Sequence, residues 1–161
     1  MSSAEDRKKV IDLLNKARAA ELTAIMQYMA HHYELEDADY GKLAAVLKAT
    51  AIEEMKHAEA LAERILQLGG EPVTQPDGEV EKGQEVPQML AHDAGLEEGA
   101  VEMYNASAHA CAEAGDHTSA RLFQELLADE EGHLDEFRNI LGHIDKLGDA
   151  YLATLVGGEA D

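Results

Sequence analysis

Tryptophan is absent from the chain, cysteine occurs once, phenylalanine twice and proline three times in 161 residues. Each scarcity excludes something. A lone thiol, Cys111, cannot close an internal disulfide, which fits a reducing, cytoplasmic home. Few helix breakers, with alanine, leucine and glutamate abundant, favour an all-α protein. No apolar run reaches the roughly 18 residues a membrane helix needs, and the charged, polar stretch Met1–Val10 does not read as a signal peptide. Bases are scarce as well: 13 lysines and arginines face 33 acids, a formal net charge of −20. Such a surface repels phosphate backbones, so no nucleic-acid partner is expected, and it concentrates cations at openings. Plain solubility accounts for the excess equally well. The length suits one domain with a sizeable core, spanning residues 1–161.

What is present is a doubled pattern. Glu21, Glu54 and His57 recur as Glu97, Glu130 and His133, each displaced by 76 residues. Each half reads Glu, then Glu-x-x-His with the motif glutamate 33 positions downstream of the first. Residues three apart are neighbours on an α-helix, so each motif presents both side chains on one face. One such tetrapeptide is weak, since about one in eight histidines would show it by chance. Of the eight histidines only His57 and His133 do, and both carry the upstream glutamate. Ala24, Tyr28 and Ala30 also reappear, as Ala100, Tyr104 and Ala106.

The helical pattern places this set in a bundle. A first helix is expected over about residues 6–36 and a second over 39–68, stopped by Gly69-Gly70. All three prolines fall at positions 72, 76 and 87, so residues 69–86 read as one long crossover. A third helix over 87–114 turns at Gly115-Asp116 into a fourth over 116–146, leaving room for a short fifth over 149–156. Two short-looped hairpins joined by one long crossover is the ferritin-like four-helix connectivity. The first helix carries two apolar stripes. Leu14, Ala17, Glu21, Ala24, Tyr28 and His31 face a bundle core. Ala19, Leu22, Met26, Met29 and Tyr33 lie about 100° away and suggest burial against another subunit, a wide core face being the alternative.

Four carboxylates and two imidazoles form a coherent set. Two divalent ions balance four carboxylate charges, and without metal some of these acids should hold protons. Oxygen-rich ligation with nitrogen suits iron or manganese, whereas zinc offers no redox chemistry. The pattern implies Glu54 and Glu130 bridging two metals, Glu21 and Glu97 terminal, and one histidine on each. Tyr28 and Tyr104, two turns beyond the terminal glutamates, are either packed core or hydrogen-bonded to those carboxylates.

The stretches Glu21-Leu-Thr-Ala-Ile-Met-Gln-Tyr28, Glu53-Glu-Met-Lys-His57 and Asp129-Glu-Glu-Gly-His133 resemble those of the bacterioferritins, over nearly the whole chain. The resemblance implies a hollow shell of 24 subunits built from twofold dimers. It implies two iron ions per subunit, Fe(II) oxidation by O2 or H2O2 at the six residues, and storage of ferric mineral, with a ferredoxin-type reductant as a partner. It also implies haem b shared between two subunits, with Met55 as the axial ligand. Met55 follows Glu54 directly and so points toward the second stripe. A thioether is a soft haem ligand, and a twofold axis supplies two of them. Met26 stands where the family commonly has asparagine, and the segment His32–Gly41 is acidic.

Two other functions remain open on the residues alone. A di-iron peroxidase or oxygenase is the alternative on the same bundle; an oxygenase would need an apolar channel to the metals, and one cysteine cannot supply a rubredoxin-type electron centre. A DNA-protecting miniature ferritin builds its metal site between subunits, against which the complete set within one chain argues.

Overall fold

The computed structural model describes residues 3–158. The elements are α1 (Ala4–Asp37), α2 (Gly41–Gln67), α3 (Val86–Glu113), α4 (His117–Leu147) and a single helical turn α5 (Asp149–Leu152), continued by a 3-10 turn, Ala153–Leu155. No strand occurs among the described residues, and none of their helices is long and apolar enough to cross a membrane. The architecture is an all-α, ferritin-like four-helix bundle in which α1 pairs with α2, α3 with α4, and α1 packs on α3.

Local chemistry sets the boundaries. Ser3 caps α1 by accepting the Asp6 N–H at 3.0 Å, and Glu5 and Asp6 place negative charge at the positive helix end. The second helix begins at Gly41 rather than near residue 39, because Asp39 turns the chain in the left-handed region (φ 64). It closes with Gly69 at φ 82 and the Gly70 N–H donating to the Ile65 carbonyl at 2.9 Å, the six-to-one bond of a Schellman turn. Glu85 and Gln88 form a capping box at the start of α3. Asp116 caps α4 through the Ser119 N–H and also accepts from Arg64 of α2 at 2.8 Å, tying the second helix to the fourth. The fifth segment is shorter in α form than its sequence suggests, since Gly148 (φ 55) and Gly157 (φ 98) bracket only enough chain for one α turn and one 3-10 turn.

Residues 68–85 run beside α1 in its own direction. A polar ladder on α1 fastens them. Asn15 bonds the Glu71 carbonyl and the Val73 N–H; Arg18 reaches the Val73 carbonyl. Thr23 accepts from the Asp77 N–H, and Gln27 exchanges two bonds with the Glu81 backbone at 2.8 and 2.9 Å. His31 meets Gln84 at 3.1 Å and, on its other nitrogen, the fully buried Asp93 of α3 at 2.8 Å. The crossover is therefore fastened along α1 by side chains that meet several of its backbone groups, without forming secondary structure of its own.

The apolar core divides into two lobes. One gathers Tyr28, Leu35, Leu43, Leu47, Leu90 and Phe137. The other gathers Leu14, Leu61, Ile65, Tyr104, Cys111 and Phe123. Between them lies a layer of buried polar groups. All six members of the first α1 stripe are buried; of the second, Ala19, Leu22 and Met29 are half-buried, while Met26 and Tyr33 stand open to solvent.

Candidate metal centre

The polar layer is made by Glu21 on α1, Glu54 and His57 on α2, Glu97 on α3, and Glu130 and His133 on α4, all six buried. Each is delivered by the face of its helix that the 3.6-residue period turns inward. Their ligand atoms form two overlapping groups, Glu21–Glu54–His57–Glu130 and Glu54–Glu97–Glu130–His133, with all atoms of a group within 4.8 Å of one another. The fold thus brings the six residues of the tandem pattern together, with Glu54 and Glu130 common to both groups.

The atoms that point into this space lack partners. Glu21 Oε2, Glu54 Oε1, His57 Nδ1, Glu97 Oε2, both Glu130 oxygens and His133 Nδ1 are buried without a hydrogen bond. His57 Nδ1 stands 2.8 Å from Glu130 Oε1, and His133 Nδ1 stands 2.9 Å from Glu54 Oε1, but the angles are wrong for hydrogen bonding. At about 1–3 kcal/mol for each unsatisfied buried group, the seven atoms cost on the order of 10 kcal/mol, comparable to the net stability of a domain. Divalent cations held among them would supply the partners these atoms lack. The donor set of four carboxylates and two imidazole nitrogens fits iron or manganese.

A surrounding set of groups aims these ligands. Tyr28 donates to Glu97 Oε1 at 2.7 Å, and Tyr104 donates to Glu21, so each tyrosine serves the glutamate of the opposite hairpin. His57 Nε2 meets Asp129 at 2.9 Å, and His133 Nε2 meets Glu53. Each outer carboxylate also crosses between hairpins, and Glu53 and Asp129 are themselves 76 residues apart. A carboxylate on the far imidazole nitrogen fixes the ring and makes the near nitrogen a better ligand. Glu53 and Asp129 sit inside the resembling motifs, yet residue spacing along a single helix assigns them nothing. Their shared 76-residue offset is a signal the sequence carries, but only the packing of one hairpin on the other shows what they touch.

Electrostatics follow from the crowding. Burial pushes Glu130 up to about 9, His57 pulling the other way and neighbouring carboxylates adding to the rise. Burial, with Glu21 beside it, holds Glu54 well above the usual carboxylate range. Burial opposes charge on His57, but Glu130 and Glu21 override it and carry the ring to about 11. His133, likewise opposed by burial, is carried to about 9 chiefly by Glu97. Glu97 moves the other way: burial raises it, and the nearby His133 ring, Glu130 and the hydrogen bond from Tyr28 bring it below its ordinary value. Without metal the cluster therefore stores protons, as four converging carboxylates must. Burial and nearby carboxylates keep both tyrosine hydroxyls protonated and able to donate.

Met55 stands apart from this centre. Its side chain is 52 % exposed on the outer face of α2, where Ile52 is exposed too, as are Met26 and Tyr33 on the adjoining helix.

Comparison with known proteins agrees with this geometry. Residues 11–147 match the family model described as a ferritin-like domain. A bacterioferritin of Desulfovibrio desulfuricans is 53 % identical over 154 residues, covering 95 % of this chain and 86 % of that protein. A bacterioferritin of Brucella melitensis is 39 % identical over 153 residues, 95 % of each chain. Among solved structures, Desulfovibrio desulfuricans bacterioferritin, studied with its diiron site in different catalytic states, superimposes with a TM-score of 0.93 at 49 % identity, covering 98 % of this chain and 95 % of that one. Rhodobacter capsulatus bacterioferritin, solved with a metal-free dinuclear site and haem iron, gives a TM-score of 0.90 at 36 % identity, covering 100 % and 99 %. By sequence and by structure, this chain belongs to the bacterioferritins, within the ferritin-like family.

Proposed function

We propose that the chain stores iron: it binds Fe(II) in pairs at Glu21, Glu54, His57, Glu97, Glu130 and His133, oxidises it, and passes Fe(III) to a mineral inside a shell of its own copies. The observation that carries this reading is the pair of overlapping ligand groups with seven unpartnered buried atoms. Two Fe(II) ions surrender two electrons. Dioxygen takes both with two protons to give H2O2, or H2O2 takes both with two protons to give two waters. The chain's own part is electrostatic and geometric. Protons held on Glu54, Glu130, His57 and His133 leave as the cations arrive, so the site stays near neutrality in both states. Tyr28 and Tyr104 hold the terminal carboxylates in place, and Asp129 and Glu53 hold the imidazoles.

The exposed face of Met26, Tyr33, Ile52 and Met55 supports a twofold contact with a second copy, with Met55 offering its sulfur to a haem shared across the axis. Twenty-four subunits complete the shell, and a ferredoxin-type protein reduces the mineral for release. The acidic surface suits a protein that draws cations, and the cytoplasm is the compartment in which free Cys111 stays reduced.

Stopped-flow oxidation of Fe(II) tests the core of this reading. Wild type oxidises added iron and forms a large iron-filled particle, whereas Glu54→Ala and His133→Ala do so far more slowly. Equal rates in wild type and both variants would remove the six residues from the reaction. For the haem, Met55→Leu should abolish the visible haem band without altering iron oxidation.

A further inference from the structure

A cavity of about 190 Å³ lies between α1 and α3 and ends on the metal centre. Its floor is the buried Glu21, Glu54 and Glu130, and the exposed Asp77 of the crossover stands at its mouth. Between them the walls are alanines, Leu96, Met103 and the buried Tyr28 and Tyr104, with the Thr23 hydroxyl engaged by Asp77 and with Gly95 and Gly99 exposed at the rim. Gly95 and Gly99 sit one turn apart within α3, and a Cβ at either would meet nothing within 4 Å.

We infer that this slot is the route by which dioxygen reaches the centre, separate from the route the cation takes. The inference rests on the ferroxidase reading above and names how one reactant arrives. Dioxygen is small and apolar and crosses hydrocarbon walls without losing hydration. A hydrated divalent cation does not, because it needs oxygen ligands at every stage of its passage. The wall between Asp77 and Glu21 provides no carboxylate, and Asp77 itself is engaged by the Thr23 hydroxyl. The α2–α4 side of the same centre is the opposite in character. There the exposed carboxylates of Glu53 and Asp129 touch His133 and His57 directly, which is an approach suited to a cation. Size points the same way: pockets for organic ligands run from about 300 to 1,000 Å³. An apolar cavity of about 150 Å³ already admits xenon. The slot thus fits a gas and is too small for the organic substrate of an oxygenase.

The test is xenon pressurisation of crystals of the full assembly, paired with Gly99→Leu. In wild type a xenon peak is expected in the slot beside Gly95 and Gly99, and none on the Glu53–Asp129 side. Gly99→Leu should remove the peak and slow Fe(II) oxidation at limiting dioxygen by about tenfold or more. Its Co(II) stoichiometry and affinity, measured without oxygen, should stay at wild-type values. An empty slot in wild type overturns the inference, whatever happens in the variant. So does a blocked slot with an unchanged oxidation rate. A wild type that binds two Co(II) per chain and oxidises iron with no xenon in the slot refutes the route alone, whereas a wild type that oxidises no iron refutes the function.

Discussion

Loading the metal-free protein with two divalent ions near pH 7 should expel at least about three protons. The number follows from the groups at the centre. His57 titrates at about 11, His133 and Glu130 at about 9, and Glu54 lies well above the ordinary carboxylate range. His57, His133 and Glu130 hold their protons at neutral pH, burial biases Glu54 the same way, and each must be free of its proton to act as a ligand. Two divalent charges therefore replace most of the proton charge, and the net charge of the buried layer changes little. With about three protons displaced, the combined two-ion binding constant falls by about 10³ for each pH unit of acidification, about 4 kcal/mol. Calorimetric titration with Co(II) under nitrogen, in buffers of different ionisation enthalpy, reads the proton number directly from the slope. Release of fewer than about two protons would refute the protonated description of the empty centre. The same shifts govern stability without metal. The unfolded chain releases these protons above the ordinary values of 4.5 for glutamate and 6.5 for histidine, while the folded chain keeps them until about 9 to 11. The native state binds more protons throughout that window, so the metal-free protein loses stability as pH rises through it. Its melting temperature should drop between about pH 6 and pH 9, and bound Zn(II) should flatten that drop.

The outer carboxylates should matter to metal affinity more than to folding. Glu53→Gln and Asp129→Asn are each expected to weaken Co(II) binding by about 10- to 100-fold in competition with a chelator, with little change in melting temperature. Unchanged affinity in both would reduce Glu53 and Asp129 to surface acids. Asp116→Ala should do the reverse, because it removes the α4 cap and the one carboxylate paired with Arg64, which keeps only its bonds to Ser119 and Gln67. A loss of about 2 kcal/mol, or about 4–8 °C in melting temperature, is expected at this chain length, with oxidation kinetics at low temperature unaffected. A shift under about 1 °C would show that the cap contributes little.

The six-residue set was legible because its members obey helix periodicity within a hairpin, and periodicity is what a sequence displays. The 76-residue offset made the pattern specific, and Gly69-Gly70 and Gly115-Asp116 marked the hairpin ends through turn chemistry that depends on one or two residues. Other features depend on how elements meet. Tyr28 and Tyr104 were readable as neighbours of glutamates, yet each bonds the glutamate of the other hairpin, a contact set by packing of α1 on α3. Glu53 and Asp129 reach across in the same manner. In the ladder, Thr23, Gln27 and His31 repeat at four-residue spacing with Asn15 eight residues before, but the partner is an irregular segment with no periodicity of its own. The slot beside Gly95 and Gly99 is a void, and voids arise from three-dimensional fit rather than from any motif.

Anomalous diffraction at the metal edge, on crystals loaded with Fe(II) under nitrogen, tests the central claim most directly. Two peaks should appear in each chain, both touching Glu54 and Glu130, one completed by Glu21 and His57 and the other by Glu97 and His133. Metal found only at the surface or between chains, with the buried layer empty, would contradict it.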